Sequence, residues 1–255
     1  VFHNFHVLGF SSLSFKMLLG LLGVFTTIVF CLKFGTWFLV FIAGLFVFLI
    51  IMLWVADLSA EGSSGFRNFF VVSGLKFGFM LFILSEVMFF AGIFWTFFDA
   101  SLVSLQDCDS SILVSGINCT SPFSIPLLNT IILLSSGVTV TYAHYSLLSS
   151  RQGGSMLIFT VVLAFYFLFL QVWEYSEQSS SMPDGVYGGL FYLSTGFHGS
   201  HVFLGSVLLF FNWILLILGW LDFSRHSGVE FSIIYWHFVD VVWLFLFIFV
   251  YCWVY

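Results

Sequence analysis

The chain has 255 residues, of which 61% are hydrophobic and 7% charged, and its formal net charge is −6. A water-soluble domain carries roughly 25% charged residues, so this composition excludes one and makes lipid the main solvent. Six Lys and Arg over the whole length cannot build a phosphate-binding face, which excludes nucleic acid as a partner.

Seven apolar segments, long enough to cross the hydrocarbon core as helices, follow in chain order at about 17–32, 36–56, 75–98, 127–148, 156–173, 188–220 and 232–254. The predicted fold is all-α, a polytopic membrane protein of seven transmembrane helices in one domain over 1–255. The sixth segment outruns the bilayer core, so it must tilt or project into water. Turn chemistry marks the loops at 61–65, 121–126 and 179–185, and the longest unpatterned loop is 99–126. No internal repeat is visible.

The first residues, Val1-Phe2-His3-Asn4-Phe5-His6, hold no Arg, unlike an Arg-rich transit peptide. They suit a chain made inside an organelle or inserted by its own helices. Phenylalanine supplies 38 residues. Facing lipid, Phe and Leu are nearly interchangeable, so the excess points to a T-rich organellar genome. Cys31 and Cys252 lie in apolar runs, while Cys108 and Cys119 share a polar loop and could pair. Neither CxxC nor zinc-type spacing occurs.

Lys16, Arg67, Lys76, Arg151 and Arg225 fall at the N-terminal flank or near the even-numbered loops, and Lys33 alone near an odd one. Asp99, Asp107, Asp109, Glu174, Glu177 and Asp184 are assigned to the odd loops. By the positive-inside rule the N-terminus faces the protein-synthesising side and the C-terminus the opposite side.

Ionisable groups inside spans carry the functional candidates. Glu86 sits at the middle of the third segment among Phe82, Ile83, Met88, Phe89 and Phe90, where a charge is poorly solvated. It reads either as a hydrogen-bonded structural acid or as a participant in proton or lipid handling. His198 and His201 are one helical turn apart, His144 ends the fourth segment, and His237 and Asp240 share a face of the seventh. Metal or haem ligation needs several converging ligands; interhelical hydrogen bonding is the competing reading. The small residues Gly196, Gly199, Ser200 and Gly205 predict close helix contact along the sixth segment. There is no phosphate-binding glycine loop, GxSxG or HExxH, and the Asn118-Cys119-Thr120 sequon is a lone tripeptide match.

Six blocks then carry a family resemblance: SEVMFFAGIFW at 85–95, PLLNT at 126–130, LSSGVT at 134–139, DGVYG at 184–188, TGFHGSHV at 195–202 and YWHFVDVVWLF at 235–245. In this order, over roughly 57–255, the chain resembles subunit III of cytochrome c oxidase, and its Phe-rich, shortened pattern resembles nematode versions. The resemblance implies a two-helix plus five-helix bundle, helices 1–2 at about 17–56 and 3–7 at about 74–254, with a phospholipid-filled cleft. It implies no haem or copper on this chain and no catalytic residue. Docking would be chiefly on subunit I of a complex in the mitochondrial inner membrane. That complex reduces oxygen with electrons from cytochrome c and pumps protons, and subunit III supports its stability and proton uptake. By position, Glu86 matches the family's buried carboxylate, and Trp54, Glu61, Arg67 and Glu86 are the expected lipid-contacting set. Tyr142-Ala143-His144-Tyr145 holds one histidine where the family often has two. Asp107-Cys108-Asp109-Ser110 replaces an acidic Trp-Pro-rich stretch, and 215–218 is apolar where basic residues are expected. A stand-alone proton-coupled transporter built on Glu86 and the histidines is the alternative, although neither inverted repeats nor mid-helix prolines occur.

Overall fold

The computed structural model describes residues 9–65, 68–102, 121–149, 153–219 and 227–254, and every regular element among them is helical. These are α1 (Leu13–Phe34), α2 (Trp37–Ser63), α3 (Phe69–Leu102), α4 (Ile125–Leu148), α5 (Gly154–Glu177), α6 (Gly185–Ile217) and α7 (Ser227–Leu246). The chain then widens into a π-helical turn over Phe247–Cys252. All seven α-helices are long and apolar enough to cross a membrane. The all-α, seven-span expectation holds. Arg67, Arg151, Arg225, Cys108, Cys119 and Asn118 lie outside the described residues.

The spans run further than hydropathy alone marks. α2 continues past Ala56 through Asp57 and Glu61, so the turn expected at 61–65 shrinks to Ser64 and Gly65. No proline interrupts the backbone ladder there, and polar side chains do not end a helix by themselves. The sequence marks only the sixth segment as overlong, yet α3 is longer still at 34 residues. At 1.5 Å per residue that is about 51 Å, against a hydrocarbon core of about 30 Å. α6 gains a turn at its start because Gly185 adopts a φ of 78°, open to glycine, and leads directly from Pro183-Asp184 into the helix.

Two compact units make up the chain, Val1–Leu75 and Lys76–Tyr255. In the first, α1 packs on α2. Gly20 permits the approach: a Cβ there would meet Val47 Cγ2 at 3.0 Å and Ile50 Cδ1 at 3.3 Å. The hydroxyls of Thr26 and Thr27 donate to carbonyls of their own helix. α1 ends where Gly35, at φ 70°, turns its N–H back to the Cys31 carbonyl.

In the second unit α4 packs on α5, α5 on α6, α6 on α7, and α7 back on α4. Phe90 and Phe97 of α3, Leu133 of α4, Phe167 of α5 and Trp236 and Trp243 of α7 lie at its centre, all buried. Polar bonds cross nearly every helix boundary. Thr139 and Thr160 hydroxyls join α4 to α5 at 2.8 Å, and Tyr175 and Thr195 join α5 to α6 at 2.6 Å. Asn212 Nδ2 donates to Ser232 Oγ at 2.7 Å between α6 and α7. Trp236 Nε1 donates to Ser136 Oγ at 3.0 Å, and Trp243 Nε1 to Thr130 Oγ1 at 3.1 Å, tying α7 to α4. In lipid such bonds and close contacts replace the hydrophobic drive that would assemble helices in water.

Of the four small residues predicted to pack along α6, only Gly205 does so closely. A Cβ there would stand 2.9 Å from the Trp236 ring. Gly196 faces open space, Gly199 comes no nearer than 3.9 Å to Leu168, and Ser200 is exposed and bonds its own Phe197 carbonyl. The helical period explains the correction: His198, Val202, Gly205 and Leu209 form the buried stripe, and Gly196 and Ser200 fall on the opposite side.

Candidate functional site

α3 carries Glu86 to the surface it shares with α6, and there its Oε2 lies 2.9 Å from His201 Nε2. The other ring nitrogen of His201, Nδ1, is 2.6 Å from the Phe197 carbonyl one turn back. A carbonyl only accepts, so Nδ1 carries a proton and donates it. Nε2 then has two options. Either a protonated Glu86 donates to its lone pair, or a protonated imidazole donates to the Glu86 carboxylate. In both states the Oε2–Nε2 contact holds one proton.

Aromatic rings enclose the pair. Phe90 meets the imidazole edge to face at 5.2 Å, Tyr235 stacks on it at 6.3 Å, and Phe238 lies at 6.4 Å. Phe82 in turn stacks on Tyr235 at 6.3 Å. The enclosure is incomplete: the Glu86 side chain stays 24% exposed and that of His201 11%. Within this chain Glu86 is therefore half-buried.

His198, one turn from His201, points elsewhere. It is fully buried and its Nε2 donates to the Val239 carbonyl of α7 at 3.2 Å, with Phe167 and Trp243 against the ring. His237 and Asp240 do share a face, lining a groove of about 450 Å³ together with Gly137 and Thr141 of α4. The Thr141 hydroxyl donates to the Gly137 carbonyl at 2.7 Å, so the 3.3 Å contact to His237 Nε2 is a donation from the ring. His144 is half-buried one turn further along α4, within electrostatic reach of His237. The structure thus brings Glu86 and His201 together, and His237 near Thr141 and Asp240, while His198 bonds to α7 and His144 lies within electrostatic reach of His237. Among the described residues no group of three or more His, Cys, Asp or Glu could hold a metal ion.

Of the expected lipid-contacting set, Trp54 and Glu61 are half-buried on α2, and Arg67 lies outside the described residues. Glu61 keeps one carboxyl oxygen, Oε2, out of solvent without a hydrogen-bond partner.

Glu174 was not among the candidates, since the charge pattern assigns it to an odd loop. It belongs to the last turn of α5 and is 1% exposed. Gln171, one turn before it, and Tyr251, on the π-helical turn, are buried as well, and the three lie close enough to polarise one another. No direct bond among them meets hydrogen-bond geometry. Their signal in the sequence is the pairing of Gln171 and Glu174 on one helix face inside an apolar span.

A family model described as cytochrome c oxidase subunit III matches residues 3–255. Cytochrome c oxidase subunit 3 of Drosophila yakuba is 42% identical over 260 residues, covering 98% of this chain and 97% of the relative. The subunit 3 proteins of Rhizopus stolonifer and Mus musculus are 48% and 44% identical, covering 79% and 78% of the chain and 72% and 78% of their own lengths. The transporter alternative finds no support in relatives that all carry the oxidase subunit name. Seven spans, paired polar side chains within them and a match from end to end lead to one assignment: the chain belongs to the cytochrome c oxidase subunit III family.

Proposed function

We propose that this chain is the non-redox structural subunit of a mitochondrial cytochrome c oxidase, docking chiefly on subunit I and supporting the stability and proton uptake of the complex. Family membership makes it an oxidase subunit and a multi-pass protein of the inner membrane. The reaction belongs to the complex, which takes electrons from cytochrome c to reduce oxygen; the subunit III family carries no metal centre. The observation that supports a structural part is the Glu86–His201 contact, a closed bond between α3 and α6 that needs no further proton to complete it. In this reading Glu86 is an interhelical clasp.

Phospholipids cover the exposed apolar walls of α1 and α2. Support comes from the exposed Phe, Leu and Ile side chains along α1 and α2, which only acyl chains or another protein can cover. Head groups would sit near Trp54, Glu61 and Arg67. The N-terminus lies in the matrix and the C-terminus in the intermembrane space, on the basic-residue distribution.

Purification of the complex through a tag on this chain tests the assignment. Haem- and copper-bearing partners are expected in stoichiometric yield, and a chain purified alone from intact membranes would contradict it. Protease protection in mitoplasts tests the orientation: the 99–126 loop should be cut from outside, and cutting only after the inner membrane is breached would reverse it.

A further inference from the structure

The groove between α4 and α7 presents hydrogen-bonding groups at a depth where lipid cannot answer them. Asp240 lies in the middle of the 26-residue span Ser227–Cys252. Its carboxyl closes over Gly137, where a Cβ would stand 3.0 Å from Oδ2; Oδ1 is shut off from solvent without a hydrogen-bond partner, so Oδ2 is the oxygen left to the groove. His237, donating through Nε2 to Thr141, keeps Nδ1 as an acceptor when the ring is neutral. The lips are apolar and exposed: Val138 is 70% and Tyr145 67% accessible.

An acyl chain in this groove would leave Asp240 Oδ2 and His237 Nδ1 without a donor in hydrocarbon, which is costly, and head groups do not reach the middle of a span. We infer that the α4–α7 groove is a protein-docking site, filled by a transmembrane helix of a neighbouring oxidase subunit that inserts a hydrogen-bond donor (amide, hydroxyl, ammonium or guanidinium) against Asp240. Gly137 matters because its missing side chain lets Asp240 lie flat on α4 and leaves the groove open. This inference rests on the chain being an oxidase subunit, and it adds which face meets a partner and by what chemistry.

The test uses the assembled oxidase purified through a tag on this chain, with three variants. Asp240→Asn keeps an acceptor oxygen and should retain the partner subunits. Asp240→Leu removes the acceptor and should lose them in detergent at least tenfold more readily. Val138→Trp fills the mouth of the groove from an exposed position without disturbing the interior, and should lose them too. A photo-crosslinker at Tyr145 should attach to another oxidase subunit. Retention by both Asp240→Leu and Val138→Trp, or crosslinks only to lipid or to this chain's own helices, would overturn the inference. Failure of the wild-type chain to bring down haem and copper would instead refute the oxidase assignment itself.

Discussion

In the α1 and α2 spans 11% and 6% of the most apolar window is buried, whereas in α4 to α7 the share runs from 28% to 56%. The α1–α2 pair meets through Gly20 and aliphatic side chains, and its threonines bond within their own helix. The second unit spends Thr, Ser, Tyr, Trp, Asn and His side chains on bonds between helices. The contrast follows from the solvent. Two apolar helices gain little by leaving lipid for each other, so a tightly assembled bundle has to be built from polar bonds and close packing. A helix pair with few of either keeps most of its surface for lipid or for another protein.

Glycine substitutions should break the comparison most visibly. Gly205→Val drives a side chain into Trp236 and Tyr235, an overpacking worth about 1–3 kcal/mol. Assembled oxidase should fall sharply. Gly44→Val on α2 meets nothing within 4 Å and should leave assembly unchanged. Quantifying oxidase by its haem absorbance decides, and equal tolerance of the two would erase the proposed difference between the units.

A smaller effect is expected from single interhelical bonds. Trp236→Phe and Trp243→Phe each remove a donor to α4, from Ser136 and Thr130 respectively, at about 0.6–1.5 kcal/mol apiece. Each should lower the thermal inactivation temperature of the complex by a few degrees, and the double variant by more than either alone. Unchanged inactivation in the double variant would remove polar bonding from the account of this unit.

How much of this was legible in the sequence depended on which property the solvent exposes. Span number and order follow from hydropathy, because crossing lipid requires long apolar runs, and the run around Glu86 was as clear as any. The partner of Glu86 was not legible, since His201 lies 115 residues away and nothing local links them. The burial of Glu174 had only a weak signal, its pairing with Gln171 on one helix face. In water, the apolar face of a helix reveals its core; in lipid both faces are apolar, so the 171–174 turn of α5 looks like a span running out into a loop. The close packing of Gly205 and the openness of Gly196 were indistinguishable for the same reason.

The smallest predicted effect lies outside the spans. The backbone N–H and the hydroxyl of Ser181 both donate to Asp184 Oδ2 at 2.7 Å, and these bonds hold the Asp184 carboxyl below the usual carboxylate range. A lowered acid contributes order that is fully present above its unfolded pKa, about 3.9, and is lost as pH falls through the lower folded value. The turn at 178–185 should therefore keep its protease resistance down to the ordinary carboxylate range and lose it only below. In Asp184→Ala the turn should be equally cleavable at every pH. A wild-type turn that opens well above pH ~4 would exclude this bond as its cause.

The central claim is that Glu86 clasps α3 to α6 and that its contact with His201 does not feed protons to the complex. Glu86→Gln keeps the shape and can still donate an amide N–H to His201 Nε2, but it no longer titrates. Oxygen consumption by the assembled Gln variant, measured against pH and followed through prolonged turnover, tests this most directly. A wild-type pH profile and a wild-type lifetime are expected, with loosening of the subunit only in Glu86→Ala. Slower steady-state turnover at high pH, or faster inactivation during turnover, in Glu86→Gln would contradict it.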